Sequence, residues 1–269
     1  MRRITVSLLH AFWVTAFLLG AAQLNLSLAQ NPTPTQPATP PSQWLVITQV
    51  SVKPEMMAEF QNFMKNTTNP ALKKGGLKWR NVWQSTNYAG DAFEFVIVAP
   101  FDKFAEFDGA SPLEKALGSQ GFADWSAKAG SLVKGVHRHI VRTRPDLSVM
   151  SKASAPKLAV VSDVHVAVGR NQDFENYTKN DFLPVMAKGG ATYLVSQTIF
   201  GGDANEYVTL TMRDSFAEID KGPVPIQVLG MEEAQKLFQK LPAGTVTLIE
   251  RSIVKFVPEL SIMPTDMAK

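Results

Sequence analysis

The feature that most constrains the fold of this chain is a long internal repeat. When the sequence is shifted by 114 residues, residues 60–76 align with residues 174–190, and eight of these seventeen positions are identical. Ordinary residue usage would give about one identity by chance. Shifts of 112 and 113 residues align further segments along each repeat. The sequence therefore predicts two equivalent units of about 110 residues, each the size of a small domain and too long for a solenoid repeat.

Both units predict the same order of secondary-structure elements. Segments 45–52 and 158–168 alternate in polarity and open the units as strands. Each is followed by an amphipathic helix that stops at Lys-Gly-Gly, by two strands joined by a turn, by a second helix and by a closing strand. The second strands are predicted at residues 79–85 and 193–200. The order β-α-β-β-α-β is that of the ferredoxin-like split motif, so the predicted fold class is α+β, with antiparallel sheets that carry their helices on one face.

The two faces of the opening strands differ in composition. One face carries only valine and fits beneath the helices, with Val46, Val50 and Val52 in the first unit and Val160, Val164 and Val166 in the second. The other face is mixed, with Ile47, Gln49 and Ser51 in the first unit and Val161, Asp163 and His165 in the second. A sheet face with apolar residues needs cover, and the other unit supplies it. Two sheets facing each other would enclose a barrel with a partly polar interior.

In this element order and its duplication, residues 44–262 resemble the dimeric α+β barrel superfamily. This ferredoxin-like group includes antibiotic-biosynthesis-type monooxygenases, NIPSNAP-type proteins and stress-response barrel proteins. The resemblance implies two copies fused in one chain, and hence a monomer that acts as a pseudo-dimer. Members of the group include cofactor-independent oxygenases, haem enzymes and proteins with no known reaction, so the resemblance implies a fold and leaves the activity open.

The predicted domain map has four parts. Residues 1–29 combine a positive start, an uncharged apolar run and a small-residue cleavage site, which is the pattern of a secretory signal peptide. Residues 30–43 are rich in proline and threonine and predict an extended tether. Ferredoxin-like unit 1 spans residues 44–150 and unit 2 spans residues 157–263. We therefore expect a periplasmic or extracellular protein, with an uncleaved membrane anchor as the alternative interpretation of the leader.

Composition and missing motifs exclude several functions. The chain has no cysteine, which excludes disulfides, thiolate catalysis, iron–sulfur clusters and lipoprotein attachment. Its net charge of +3 includes Arg2 and Arg3 of the leader, so no basic footprint for nucleic acid remains. The two Lys-Gly-Gly segments end helices and would present carbonyl groups, whereas an anion needs N–H groups. No motif of a serine hydrolase or a zinc protease is present.

The candidate site residues lie on the mixed strand faces and on the second strands. The set predicted to bind a ligand comprises Gln49, Trp79, Trp83, Asp163, His165 and Tyr193. Trp79, Asn81 and Trp83 share one strand face, where aromatic rings beside an amide could hold a flat organic molecule. His165, Trp83 and Asn81 are the candidate catalytic residues. Plain packing is the alternative interpretation of each tryptophan.

Three histidines raise the question of a metal or haem site. His137 and His139 share one face of a strand, and His165 shares another with Asp163. These groups could bind a metal ion or haem if the sheets brought them together. Histidines two residues apart lack any wider ligand pattern, and their counterparts in the other unit are not histidines. We therefore predict no metal site and no cofactor, with haem as the alternative.

Together these features predict an exported protein that binds a small apolar or aromatic molecule between its two sheets. One alternative is a cofactor-independent, monooxygenase-like enzyme that acts on an aromatic or polyketide-like substrate. Another is an interaction or structural protein of the cell envelope. No nucleic-acid partner is expected, and contact with a membrane is expected only through an uncleaved leader.

Overall fold

A computed structural model describes residues 40–91, 93–151 and 157–263. The predicted signal peptide, residues 1–29, and the first ten residues of the predicted tether lie outside these ranges. The described residues belong to one compact unit, residues 39–269. In the part of the chain that the structure describes, no helix is long and apolar enough to cross a membrane.

Eight antiparallel strands form a closed barrel. They are β1 (Trp44–Val52), β2 (Asn81–Ser85), β3 (Glu94–Phe101), β4 (Val133–Thr143), β5 (Leu158–Val166), β6 (Tyr193–Phe200), β7 (Glu206–Arg213) and β8 (Val246–Phe256). Their order around the barrel is β1-β3-β2-β8-β5-β7-β6-β4. Each half of the chain contributes four adjacent strands, and the halves meet where β2 pairs with β8 and where β4 pairs with β6. The predicted α+β class, with two antiparallel sheets closed into a barrel, is confirmed.

Helices lie outside the sheet in both halves. They are α1 (Met57–Phe63), α2 (Asn69–Lys74), α3 (Pro112–Leu132), α4 (Asn171–Tyr177), α5 (Leu183–Lys188), α6 (Phe216–Asp220), α7 (Val224–Leu229) and α8 (Met231–Gln239). The first helical region of each half is interrupted by a π-helical turn, Met64–Thr68 between α1 and α2 and Thr178–Phe182 between α4 and α5. The sequence analysis predicted a single uninterrupted helix at each place.

Proline explains the π-helical turns. Pro70 and Pro184 each lie in the first turn of the segment that follows the interruption. A proline has no N–H to donate and its ring collides with the carbonyl group four residues earlier, so a continuous α-helix cannot pass through it unchanged. The widened turn lets the helix continue past the proline. Gly76 and Gly190 then end the helices with positive φ of 89° and 63°, which confirms the predicted left-handed caps.

Each sheet buries one face against its own helices. Val50 and Val52 of β1 join a core with Phe60 of α1 and Phe95 of β3, and all four are at most 5% exposed. Val164 and Val166 of β5 form the matching core with helix α4. The valine faces identified in the sequence therefore lie beneath the helices, as predicted.

The segment that follows the last strand of each half packs into the core of the other half. Leu147 follows β4 of the first half, yet it lies in the second-half core and is 1% exposed. Leu260 follows β8 of the second half, yet it lies in the first-half core and is also 1% exposed. We call residues 145–149 and 258–262 the crossing tails. Each core is incomplete without a residue supplied by the other half.

The crossing tails are hydrogen-bonded at equivalent positions. The Ser148 hydroxyl oxygen accepts the Val195 N–H at 2.9 Å, and the Ser261 hydroxyl oxygen accepts the Val82 N–H at the same distance. Val149 exchanges two backbone hydrogen bonds of 2.8 Å with Tyr193, while Ile262 exchanges two with Arg80 at 2.7 and 2.8 Å. Val82 and Val195 are thus structurally equivalent, and they lie 113 residues apart in the sequence. These hydrogen bonds therefore fix how each tail is aligned with the second strand of the other half.

Polar side chains reinforce both tails. Arg144 comes just before the first tail and lies beside the second-half core. There it donates hydrogen bonds to Glu175 and to Asp146, and the Tyr207 hydroxyl donates to Glu175 at 2.6 Å. The Arg144 guanidinium lowers the pKa of Glu175 and of Asp146. In the first half, buried Arg80 donates to the Asn69 side-chain oxygen at 2.7 Å, and the Asn69 amide donates to the Leu260 carbonyl at 2.9 Å. The two halves thus use different residues for the same structural task.

We predict that truncating either tail leucine destabilises the whole barrel. Leu147→Ala and Leu260→Ala should each lower the free energy of unfolding by about 2–5 kcal/mol, because each removes a fully buried side chain and leaves a cavity. Met150→Ala, a change next to the first tail at a side chain that is 74% exposed, is the control. Urea unfolding followed by circular dichroism measures the effect. A change below about 0.5 kcal/mol in both leucine variants would show that the tails are dispensable.

Candidate functional site

The inward face of the barrel is defined by strand register. Gln49 lies opposite Val96 and His137, and Trp83 lies opposite Val96 and Phe256. Residues paired directly across antiparallel strands project from the same face, and the next residue along each strand projects from the other. The neighbours Val50 and Phe95 face the helices. These five side chains therefore point into the barrel.

Apolar side chains from both halves line much of the interior. Trp83, Ala159 and Val254 form its buried cluster. Further apolar side chains pack against this cluster and remain partly exposed: Val96, Val98, Val161, Leu210, Met212 and Phe256. The rings of Trp83 and Phe256 have centroids 5.0 Å apart. Because the barrel is closed, the accessible area of the inward side chains faces the space inside it or at its ends. We call this lining the apolar floor.

Polar side chains cluster at one end of the interior. Asp163 lies opposite Val208 and Glu250, and His165 lies opposite Glu206 and Leu248. Glu94 pairs with Ser51 at the corresponding position in the first half. The end of β1, the end of β5 and the starts of β3 and β7 share this end of the barrel. We call the group Ser51, Glu94, Asp163, His165, Glu206 and Glu250 the mouth.

His165 lies between carboxylates. Its Nδ1 is 3.4 Å from Asp203 Oδ2, and its Nε2 is 4.0 Å from Glu250 Oε2. Asp203 belongs to the β6–β7 turn and is held by the Asn205 N–H, which donates to its Oδ1 at 2.9 Å. A carboxylate beside one ring nitrogen orients the imidazole and leaves the other nitrogen to accept a proton. His165 has the surroundings of a general base.

A glycine lets the β6–β7 turn approach the barrel wall. Gly201 has a φ of +83°, which an L-residue with a side chain rarely adopts. A Cβ atom at this position would also lie 2.5 Å from the Arg138 carbonyl oxygen on β4. Only glycine satisfies both constraints, and the turn that carries Asp203 is thereby fixed against the first half.

The mouth is electrostatically negative. Burial raises the pKa of Glu94, and Asp91 and Asp163 raise it further. Burial also raises the pKa of Asp163 and of Glu206, each with a further contribution from neighbouring carboxylates. Glu94 comes from the first half and Asp163 from the second, so the two halves build one charged surface. At the paired positions of the described strands, no lysine or arginine lies on the inward face.

Five of the predicted site residues face the interior, and one does not. Register places Gln49, Asn81, Trp83, Asp163 and His165 on the inward face. Tyr193 instead packs in the second-half core, with its ring centroid 5.3 Å from that of Phe182. It cannot contact a ligand inside the barrel. Trp79 is half-buried and lies two residues before β2 begins.

The misplacement of Tyr193 follows from the alignment of the repeats. At the shift of 114 residues that fits the first helices, Tyr193 aligns with Trp79. In the second strands the structural shift is 113, because Val82 and Val195 make the same hydrogen bond. The equivalent of Tyr193 is therefore Arg80, which also faces the helices. A shift of one residue along a strand moves every side chain to the opposite face.

The sequence analysis missed three acidic residues near the mouth, namely Glu94, Asp203 and Glu206. Glu94 and Glu206 are the first residues of β3 and β7, at equivalent positions of the two halves. A glutamate repeated at the start of both third strands was a signal available in the sequence. Asp203 gave no such signal, because its role depends on the fold of the β6–β7 turn.

The histidines on the described strands are not gathered into a metal-binding cluster. Within residues 40–91, 93–151 and 157–263, no three histidine or acidic side chains are arranged to hold a metal. The rings of His137 and His139 lie side by side at a tilt of 34°, with centroids 5.8 Å apart, and burial lowers the pKa of His139. Haem carries two propionate groups, which the carboxylates of the mouth would repel in the absence of an inward cation.

Comparison with known proteins identifies the fold. The chain matches no protein-family model, and no curated protein sequence is significantly similar to it. Its structure is similar to that of a proposed monooxygenase from Lactobacillus acidophilus NCFM, with a TM-score of 0.55 and 10% identity over 83% of this chain and 97% of that one. An anthrone oxidase-like protein gives a TM-score of 0.54 and 11% identity over 81% and 94%.

A third similar structure is a variant of chlorite dismutase from Candidatus Nitrospira defluvii. It has a TM-score of 0.51 and 8% identity over 82% of this chain and 94% of the other. Identities this low establish a shared fold and nothing about activity. The proposed fusion of two ancestral copies stays a prediction. These three structures and this chain share the same α+β barrel fold.

Proposed function

We propose that this protein binds a small, largely apolar molecule inside its barrel. The observation that supports the proposal is the partial exposure of apolar side chains that point into a closed barrel, among them Val96, Val161 and Leu210. A purely structural interior would be packed to the density of the helix-facing cores. Ligand sites in proteins are concave and mostly apolar, with a few convergent polar groups. The apolar floor and the mouth have this composition.

The aromatic residues favour a flat ligand. Trp83 and Phe256 meet at a tilt of 58° on adjacent strands, one from each half. A planar molecule can stack on one ring and contact the edge of the other. His165, Asp163 and Gln49 face the same interior from neighbouring strands and can hydrogen-bond a hydroxyl or carbonyl group on the ligand. This arrangement favours an aromatic compound with one polar end.

Filling the interior should abolish ligand binding. We expect 2-naphthalenemethanol, a neutral aromatic probe, to quench Trp83 fluorescence in the wild type. Val208→Phe places a ring on the inward face beside Asp163 and should weaken probe binding at least tenfold. Val136→Phe makes the same change at a side chain that is 44% exposed and should leave binding unchanged. Equal weakening in both variants, or no saturable binding to the wild type, would contradict a ligand site in the barrel.

The negative mouth selects against anions. A ligand entering past Glu94, Glu206 and Asp163 meets carboxylates, and no lysine or arginine lies on the inward face at the paired positions of the described strands. Like charges in a partly buried site repel more strongly than in water. The ligand is therefore neutral or cationic at neutral pH.

An anionic probe should bind more tightly as the pH falls. The pKa values of Glu94, Asp163 and Glu206 are raised, so these groups become protonated above the ordinary carboxylate range. Affinity for 2-naphthalenesulfonate, which stays ionised, should rise between about pH 7 and pH 5, while affinity for the neutral probe stays constant. The double variant Glu94→Gln, Glu206→Gln should bind the sulfonate better at pH 7 and show a smaller pH slope; an unchanged slope would rule out the carboxylates as the cause.

A monooxygenase-like reaction without a cofactor is the second candidate function. It is favoured by His165, which Asp203 orients at the mouth, and by the printed descriptions of two structural relatives as a proposed monooxygenase and an anthrone oxidase-like protein. In such a reaction His165 would accept a proton from an aromatic hydroxyl group or an acidic carbon. Molecular oxygen would then oxidise the resulting anion, and one oxygen atom would enter the product while the other leaves as water. The substrate itself would supply all four electrons: in an anthrone, the CH2 group becomes a carbonyl group and its two hydrogens leave in the water.

Oxygen consumption with anthrone and quinol substrates tests this candidate. His165→Ala should reduce the rate at least a hundredfold, because it removes the base. Asp203→Asn should reduce it less and should shift the pH profile, because it acts through His165. Arg138→Ala, on the outward face of β4, serves as the control. If the wild type consumes no oxygen above the background with any substrate that binds, the protein is a binding protein and not an oxygenase.

A further inference from the structure

A second cavity lies outside the barrel in the second half of the chain. It has a volume of about 270 Å³, near the lower end of the range for small-molecule sites. The end of α5, the end of β7 and helices α6 and α7 surround it. The polar side chains that line it and carry the argument are Ser151, Thr192, Arg213, Asp214, Glu218 and Lys221. None of them belongs to the mouth.

Two cations in this cavity lack partners. Arg213 is half-buried, and its Nε atom is fully buried with no hydrogen-bond acceptor in the described part of the chain. Burial lowers the pKa of Arg213, and the nearby Glu218 carboxylate raises it in part. Among the described residues, neither Arg213 nor Lys221 forms an ion pair. A buried donor without an acceptor is costly, and a bound anion would remove that cost.

The first half has an apolar residue at the position equivalent to Arg213. The equivalent of Arg213 is Phe101, the corresponding residue of β3. Phe101 is 6% exposed and packs against Trp44, Phe104 and Phe107. The second half has lost this aromatic cluster and carries a cation beside a cavity instead.

Neighbouring groups define the chemistry that the cavity accepts. The hydroxyl groups of Ser151 and Thr192 lie 3.0 Å apart and can turn toward a ligand. The Glu218 carboxylate accepts the Asp214 N–H at 2.9 Å, so two acidic residues also border the cavity. The N–H groups of Gly189 and Gly190 are donated to Val185 and Ala187 and add nothing to anion binding. The charges of the lining side chains balance, which disfavours a dianion.

We propose that this cavity binds a small molecule through a single carboxylate group. Arg213 holds the carboxylate with its planar fork of donors, a geometry that matches two oxygens. Lys221 contributes a second positive charge, and the hydroxyl groups of Ser151 and Thr192 complete the polar contacts. A doubly charged phosphate fits less well, because Asp214 and Glu218 border the same space.

Calorimetric titration of the full protein with benzoate and with inorganic phosphate tests the proposal. The wild type should bind benzoate more tightly than phosphate. Arg213→Phe, which restores the residue of the first half, should weaken benzoate binding about tenfold or more, and Lys221→Met should weaken it severalfold. Arg251→Met, at an exposed arginine on the outward face of β8, should leave it unchanged. Circular dichroism and thermal unfolding show whether each variant is folded.

The outcomes separate this site from the barrel interior. Val208→Phe should not affect benzoate binding if the carboxylate occupies the outer cavity. Equal affinity in wild type and in folded Arg213→Phe would overturn the proposal, and so would the absence of benzoate binding to the wild type. Tighter binding of phosphate than of benzoate would overturn the assignment to a carboxylate. If Arg213→Phe does not fold, the Lys221→Met variant provides the test, because Lys221 is exposed and its replacement should leave the fold intact. Unchanged benzoate affinity in that variant would overturn the proposal.

Discussion

The reciprocal packing of the two crossing tails is the interaction on which the rest of the structure depends. Leu147 completes the second-half core and Leu260 completes the first-half core, so each half is a component of the other's interior. The strand pairs β2–β8 and β4–β6 close the barrel, and they are comparatively short. Burial of the tail leucines adds a hydrophobic contribution to these strand pairs. The interior of the barrel exists only because these contacts hold the two sheets face to face.

The two halves differ most where they face the interior. Their helix-facing cores use similar residues in similar places, whereas Gln49 of the first half corresponds to Asp163 of the second and Ser51 corresponds to His165. Packing constrains the cores to apolar side chains of fixed volume. The side chains that line an accessible space are less constrained by packing, so polar or reactive residues can occur among them. The asymmetry between the halves therefore coincides with the candidate site, and the replacement of Phe101 by Arg213 follows the same pattern on the outside.

Sequence patterns predicted the strands, their faces and the barrel because these depend on short-range periodicity and on a repeat that can be counted. Gln49, Asn81, Trp83, Asp163 and His165 lie on one inward face, and their role in ligand binding stays a prediction. Tyr193 was wrong because a strand face is decided by a single residue of register, which the alignment of helices cannot supply. Asp203 and the cavity around Arg213 were missed because they arise where a turn or helix approaches a distant strand. Local sequence patterns do not predict contacts of that kind.

The crossing tails also govern the order in which this protein can fold. Val82 and Ser261 are hydrogen-bonded across 179 residues of sequence, and the core that they border contains Leu260. During synthesis on the ribosome, we therefore expect the first-half core to lack Leu260 until nearly the whole second half has been made. Contacts between residues so far apart close large loops and slow folding. The nascent chain stays open through most of its translation and then closes in one late, cooperative event.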